Sequence, residues 1–182
     1  CGLRGMQEYY GVNADLVTLG KAIANGLPVA ALGGRREIME YFESTVITSG
    51  TYAAHPISMA GGVATIKKAT RIGADKILSR VAEELKKVTV EVLSEAGLEA
   101  AVSQFGGSLS IHLGLERPPR NLREALKADQ KTYKRLAAAL RERGVLVNPN
   151  PLKRLSTSTA HDGEAIEYYA EALRVAVKEV KR

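Results

Sequence analysis

Tryptophan is missing from these 182 residues, cysteine occurs once, and aromatic residues of all kinds make up 5%. So thin an aromatic complement leaves little to stack on bases, which speaks against nucleic acid as a partner. With Cys1 as the lone thiol no internal disulfide can form, and that fits a reducing compartment. No apolar run reaches the roughly eighteen residues that a membrane-spanning helix needs, and the start carries no charged-then-apolar leader pattern. Internal repeats, low-complexity tracts and long blocks of like charge are also lacking. A cytoplasmic protein without a membrane partner is the expectation. The net charge of +6 does not alter it, because the basic residues are interleaved with acids, as in Glu83-Glu84-Leu85-Lys86-Lys87 and Arg141-Glu142-Arg143. That pattern reads as solvated helix faces. The three histidines, His55, His112 and His161, have no metal-ligand spacing, so no metal site is expected.

What is present is ample apolar residue, 45% of the chain, enough for one ordinary domain or two small ones. Before Gly11 a loop and a short helical turn are expected, anchored by Met6, Tyr9 and Tyr10. Asp15 to Leu19 reads as a short strand. Asn25-Gly26 suits a turn that needs positive φ, Leu27 to Leu32 reads as a buried strand, and Arg35 to Phe42 as a short helix. The β-branched segment Thr45 to Thr48 then leads into Gly50-Thr51. His55-Pro56 suits a helix start, since proline is tolerated in the first turn. Ser58, Ala60, Gly61, Gly62 and Ala64 would let that helix approach a neighbour closely before Gly73 ends it.

Asp75 can cap a long amphipathic helix whose apolar positions, Ile77, Leu78, Val81, Leu85, Val88 and Val92, keep the i, i+3/i+4 rhythm up to Gly97. Beyond Leu98 the pattern changes to strands, Ala100 to Val102 and Ser108 to Leu113. Asn121 with Glu124 resembles a capping box for a helix reaching Arg143, with Gly144 just past its end. Val145 to Val147 and Leu155 to Thr159 read as further strands. A final helix capped by Asp162 places Ile166, Tyr169, Leu173, Val177 and Val180 on one stripe. Two helices on a small antiparallel sheet make an α+β unit, behind an α/β layer.

The chemically distinctive residue is Lys21. It sits between Val17-Thr18-Leu19 and the apolar run Val29 to Leu32 of the Thr18 to Gly34 stretch, too apolar for an ordinary surface loop, so it is expected in or beside a core. Taking an ammonium out of water is costly, and a lysine so placed tends to shed its proton or be converted to something else. Condensation with an aldehyde to a Schiff base is one such conversion. Gly50 and Thr51 are the second candidates, a hydroxyl and exposed backbone N–H groups able to donate to a phosphate.

Asp15-Leu16-Val17-Thr18-Leu19-Gly20-Lys21, with Gly26-Leu27-Pro28-Val29 and Gly33-Gly34-Arg35-Arg36-Glu37-Ile38-Met39, resembles the cofactor-lysine segment of class III pyridoxal-phosphate aminotransferases. Within that family it is most similar to the glutamate-1-semialdehyde aminomutase subgroup. A second block, Ser49 to Pro56, resembles the family's Gly-Thr pair ahead of a helix. The resemblance implies a fold-type-I α/β architecture with pyridoxal 5'-phosphate on Lys21, and a homodimer in which Thr51 reaches the phosphate of the neighbouring subunit's cofactor. It also implies that residues 1–66 are the C-terminal part of the large cofactor domain, 67–97 a connecting helical region and 98–182 the small α+β domain.

Cys1-Gly2-Leu3-Arg4 looks like the stretch just after the family's Asp-Glu-Val strand end, so the C-terminal half of an enzyme is implied, either a fragment by itself or one part of an assembly with a separate N-terminal half. The subgroup's Pro-Ser-x-x-Phe-Glu-like stretch near the substrate is replaced here by Asn148 to Arg154, and its favoured glycines by Ala24-Asn25. Three readings follow: an aminotransferase acting between an amino donor and a keto or aldehyde acceptor, an aminomutase that returns the amine to another carbon of one substrate, or a fragment inactive without the missing half.

Overall fold

The computed structural model describes residues 2–47 and 49–181. Cys1, and Thr48 at the end of the β-branched segment, lie outside the described residues. The chain forms two compact units, Cys1–Ala74 and Asp75–Arg182. The division falls within 67–97, at the head of a long helix.

In the first unit α1 (Met6–Tyr10) ends at Gly11, whose φ of 64° is the left-handed conformation that closes a helix. Strand β1 (Leu16–Leu19) pairs antiparallel with β2 (Ala31–Gly34), Leu16 facing Gly34 and Leu19 facing Ala31. Arg35 fastens the open end of this ribbon: its N–H donates to the Asp15 carbonyl at 3.0 Å and its guanidinium reaches the Asp15 carboxylate at 3.1 Å. Between the strands lie a 3₁₀ turn, Lys21–Ala24, and the Asn25-Gly26 turn, with φ of 47° and 110°.

The second strand begins later than the sequence pattern suggests, and it is not buried. Leu27 is tied back to the Ala24 carbonyl within the turn, and Pro28 has no N–H to give a ladder. The helix expected over Arg35 to Phe42 is two short ones, α2 (Arg36–Met39) and α3 (Tyr41–Ser44). Helix α4 (Pro56–Ile72) has its proline in the first turn and ends at Gly73, φ 61°.

The second unit holds most of the core. Helix α5 (Ala74–Glu95) starts at Ala74, so Asp75 lies inside its first turn and is not its cap. Strands β3 (Ala100–Phe105) and β4 (Ser108–Leu113) form a hairpin through Gly106-Gly107, and β5 (Leu155–Ser156) adds to β4, giving the order β3-β4-β5. The helix expected from Asn121 to Arg143 is broken. The Asp129 N–H is taken by the Leu113 carbonyl at 2.8 Å, which separates α6 (Leu122–Ala125) from α7 (Gln130–Glu142) and leaves the Asp129 carboxylate to cap α7.

Asn121 and Asp162 cap α6 and α8 (Gly163–Val180) as expected, each accepting an N–H three residues on. Leu93 of α5, Leu136 and Leu140 of α7, and Leu173 and Val177 of α8 are fully buried against Leu109, Ile111 and Leu113 of the sheet. The strand expected over Leu155 to Thr159 is shorter, Leu155–Ser156, and beyond it Thr157 gives both its N–H and its hydroxyl to the Gly107 carbonyl. Val145 to Val147 belongs to no sheet. Among the described residues no helix is long and apolar enough to cross a membrane.

Candidate active site

Lys21 opens the 3₁₀ turn directly after β1, with Gly20 extended before it. Its φ is +54°, a conformation costing an L-residue with a Cβ about 1–2 kcal/mol. Such an outlier persists only where its surroundings over-determine it, and outliers of this kind cluster at functional positions.

What holds the turn is α4. Ser58 and Gly62 are buried on it, and a Cβ at Gly62 would stand 3.8 Å from both the Ile23 carbonyl oxygen and a Val29 methyl. At Gly61 a Cβ would fall 2.2 Å from a Leu27 methyl. The small residues of α4 therefore serve the close approach that their run suggests. Ala24 is the turn's buried side chain.

Lys21 itself is exposed, contrary to the expectation of burial, and its amine has no hydrogen bond or ion pair among the described residues. The reason is local. A two-stranded ribbon covers neither of its own faces, and apart from Ala74 at the boundary Ala24 is the first unit's one buried apolar side chain among the described residues. Leu16, Leu19, Leu32, Ile57, Val63 and Ile66 are all open to solvent.

Gly50 and Thr51 precede α4 in a turn closed by the Ala53 N–H on the Gly50 carbonyl, 2.9 Å, and the His55 N–H on the Tyr52 carbonyl, 3.2 Å. The N–H groups of Gly50, Thr51 and Tyr52 and the Thr51 hydroxyl have no partner among the described residues. Ala54 pays for the turn with φ +55°. His55 Nδ1 lies 3.4 Å from Ser58 Oγ, a first-turn contact consistent with a structural role. No hydrogen bond joins Lys21 to Thr51; both are carried by segments that meet α4, one on its flank and one at its head. The strained backbone at Lys21 and Ala54 has no signal in residue type, since neither is glycine or asparagine.

A free primary amine on a braced turn, and a separate cradle of unpaired N–H and hydroxyl donors at the head of a long helix, are what an aldehyde-bearing phosphate ester would require. The family model for class-III aminotransferases matches residues 4–172, and the chain belongs to that family.

Among its relatives, the glutamate-1-semialdehyde 2,1-aminomutase of Aeropyrum pernix is 35% identical over 181 residues, 98% of this chain and 42% of that protein. The enzyme of the same name from Desulforudis audaxviator is 38% identical over 96% of this chain and 40% of its own. The chain thus spans about two fifths of the length of these relatives. An omega-transaminase from Sphaerobacter thermophilus superposes with a TM-score of 0.83 at 29% identity, covering 98% of this chain and 41% of that one. A glutamate-1-semialdehyde aminomutase from Pseudomonas aeruginosa PAO1 gives 0.82 at 26%, covering 99% and 42%. The mixed α/β fold is the one these enzymes share over that portion.

Proposed function

We propose that this chain is the C-terminal portion of a pyridoxal-phosphate enzyme that moves amino groups, with Lys21 as the cofactor-bearing and catalytic residue. The observation that carries the reading is the placement of Lys21 Nζ, unpaired, at a φ of +54° on a turn braced by α4. The donor chemistry fits the cofactor: Lys21 Nζ would bond the aldehyde carbon of one, and Gly50 and Thr51 would donate to the phosphate of another, the one held by a second protomer. When bound, pyridoxal phosphate supplies an electron sink for the bonds at an amino acid's α-carbon. Lys21 Nζ, beside that carbon, would be the base that takes its proton and returns it.

The exposed apolar surface of the first unit supports the rest of the reading. So many exposed aliphatic side chains in one unit suit a surface that another polypeptide covers, here the remaining portion of the enzyme and a second protomer of a homodimer, with Thr51 serving the partner's cofactor. The isolated chain is then expected to bind cofactor poorly, in a reducing, cytoplasmic setting that suits its single thiol.

The test is borohydride reduction of the assembled enzyme loaded with pyridoxal phosphate, followed by peptide mapping. A cofactor adduct on Lys21, absent after Lys21→Ala, is the expected result; an adduct on another lysine overturns the assignment. Transfer between an amino donor and a keto or aldehyde acceptor is the primary reading. The aminomutase names of the relatives favour a second, an internal shift of the amine. Incubation with a single amino-aldehyde substrate and no keto acid separates them by product: a mutase yields the isomer with amine and carbonyl on exchanged carbons, whereas transfer between two molecules yields a diamine and a dicarbonyl compound.

A further inference from the structure

Residues 117–135, from the loop after β4 into the first half of α7, hold seven arginines and lysines against two carboxylates, which is five of the chain's net charge of +6. All seven cations are exposed. Both carboxylates are engaged within the segment. Glu124 accepts the Arg120 N–H at 3.0 Å and the Arg117 guanidinium at 3.1 Å, and Asp129 accepts the Thr132 N–H and hydroxyl as the cap of α7. The side chains of Arg123, Lys127 and Lys134 enter no hydrogen bond or ion pair among the described residues. Arg80 and Lys87 of α5, by contrast, pair with Glu84 and Glu91 one turn on, at 3.8 and 3.9 Å.

Within this basic stretch two leucines face water, Leu122 at 62% exposure and Leu126 at 50%. The Leu126 N–H donates to the Leu122 carbonyl at 2.9 Å, so the two lie one helical turn apart on one face. The Gln130 side-chain amide donates to the Leu126 carbonyl at 3.4 Å, tying α6 to the head of α7. There the exposed face carries Lys131, Lys134 and Arg135, and the buried face Tyr133, Leu136 and Leu140. An apolar centre with a charged rim is the anatomy of a protein interface.

We propose that α6 and the head of α7 form a docking surface for an acidic amphipathic segment of another protein, with its aliphatic side chains on Leu122 and Leu126 and its carboxylates on Arg123, Lys127 and Lys134. The inference uses no residue of the candidate active site and stands apart from the cofactor reading. Charge selects the occupant. A symmetric dimer through this surface would set like charges against each other. Nucleic acid would engage the cations, but the segment's one aromatic ring, Tyr133, is buried and cannot stack on a base, and phosphates gain nothing from the leucines. An anionic membrane calls for a long helix with a continuous apolar face, whereas α6 is four residues long and offers two leucines. A polypeptide that carries aliphatic side chains among carboxylates answers both features at once.

The probe is a fluorescent helical peptide of about 15 residues, with leucines four apart and glutamates on both flanks, titrated by anisotropy into the 182-residue chain and into the assembled enzyme. A scrambled peptide of the same composition, a single-stranded RNA and phosphatidylserine vesicles are the comparators. The amphipathic peptide is expected to bind both proteins, more weakly as salt rises. Scrambling it, or pairing Leu122→Ser with Leu126→Ser, should weaken binding about tenfold, and so should Arg123→Glu with Lys127→Glu. Equal binding of the scrambled peptide, or indifference to the leucine substitutions, would leave charge alone and overturns the proposal. Tighter binding of the RNA or of the vesicles overturns it in favour of that partner. Binding to the 182-residue chain but not to the assembled enzyme overturns it too, since the enzyme's own polypeptide would then cover the surface. Should a substituted chain unfold, amide exchange in the wild type locates the site: slowing by the peptide over residues 122–127 is expected, and slowing confined to other segments overturns the assignment.

Discussion

The Tyr169 hydroxyl of α8 lies 2.9 Å from the Thr89 hydroxyl of α5, inside the core of the second unit. Thr89 Oγ1 is also 2.6 Å from the Leu85 carbonyl, which can only accept, so its single proton goes there and Tyr169 must donate to Thr89. Burial pushes the Tyr169 phenol up to about 12. A group whose folded pKa is raised holds its proton in the folded state after the unfolded chain has lost it. Stability is therefore intact below about pH 10 and falls as the pH rises toward 12, by about 1.4 kcal/mol per pH unit. Urea midpoints at pH 9, 10 and 11 should show a steeper alkaline loss for the wild type than for Tyr169→Phe. Tyr133, also raised by burial, adds an alkaline loss common to both.

The donor order makes the two sides of that pair unequal. Tyr169→Phe leaves Thr89 bonded to Leu85 and is expected to cost about 1 kcal/mol, whereas Thr89→Val strands a buried phenol and is expected to cost about 1–3 kcal/mol. Denaturant titration at pH 7 decides it; equal costs would mean that the phenol finds another acceptor.

Asp129 is the residue that turned one expected helix into two. Its carboxylate accepts from the Thr132 hydroxyl at 2.6 Å and from the Thr132 N–H at 2.9 Å, and these bonds hold its pKa below the usual carboxylate value. The stabilisation is present above the unfolded pKa near 3.9 and is lost as the pH falls through the lower folded value. Asp129→Ala is expected to cost about 1 kcal/mol at pH 7. The gap between variant and wild type should narrow by pH 3, measured by guanidinium unfolding at both pH values.

That break also shows what the sequence pattern carried and what it did not. Local signals were legible: Asp162 and Asn121 as caps, Gly73 as a helix end, the stripe from Ile166 to Val180, and the small face of α4. Features decided by distant chain were not. Asp129 stops a helix because Leu113, sixteen residues away, takes its N–H. Likewise Val145 to Val147 has the residues of a strand and lacks a mate. Lys21 was legible as a candidate through its neighbours Val17 to Gly20, yet the expected burial is not found, because the two-stranded ribbon beside it covers neither of its own faces.

Gly107 tests packing in the hairpin. Its φ is not in the left-handed region, so space is the issue: a Cβ there would meet the Leu78 Cβ at 2.8 Å and the Thr157 hydroxyl at 3.0 Å. The Leu78 Cβ cannot swing away as a side-chain tip can. Gly107→Ala is expected to destabilise by about 1–3 kcal/mol, visible as a lower urea midpoint. A neutral result would mean that β5 and α5 separate easily from the turn.

Lys21 and Ala54 share the left-handed conformation, at φ +54° and +55°, but they should not respond alike to glycine in every assay. Removing the Cβ relieves about 1–2 kcal/mol of strain, while the freer unfolded chain takes back about 0.4–1 kcal/mol. Both Lys21→Gly and Ala54→Gly are therefore expected to stabilise by a few tenths to about 1 kcal/mol in thermal unfolding. Asn25→Gly is the control, since asparagine tolerates this region and gains less. In the assembled enzyme Lys21→Gly should lose cofactor labelling altogether and Ala54→Gly should keep it. A more stable and inactive Lys21→Gly would show strain retained for the sake of an amine; a destabilised one would show that the lysine side chain braces the turn, and the catalytic explanation of its φ would fall.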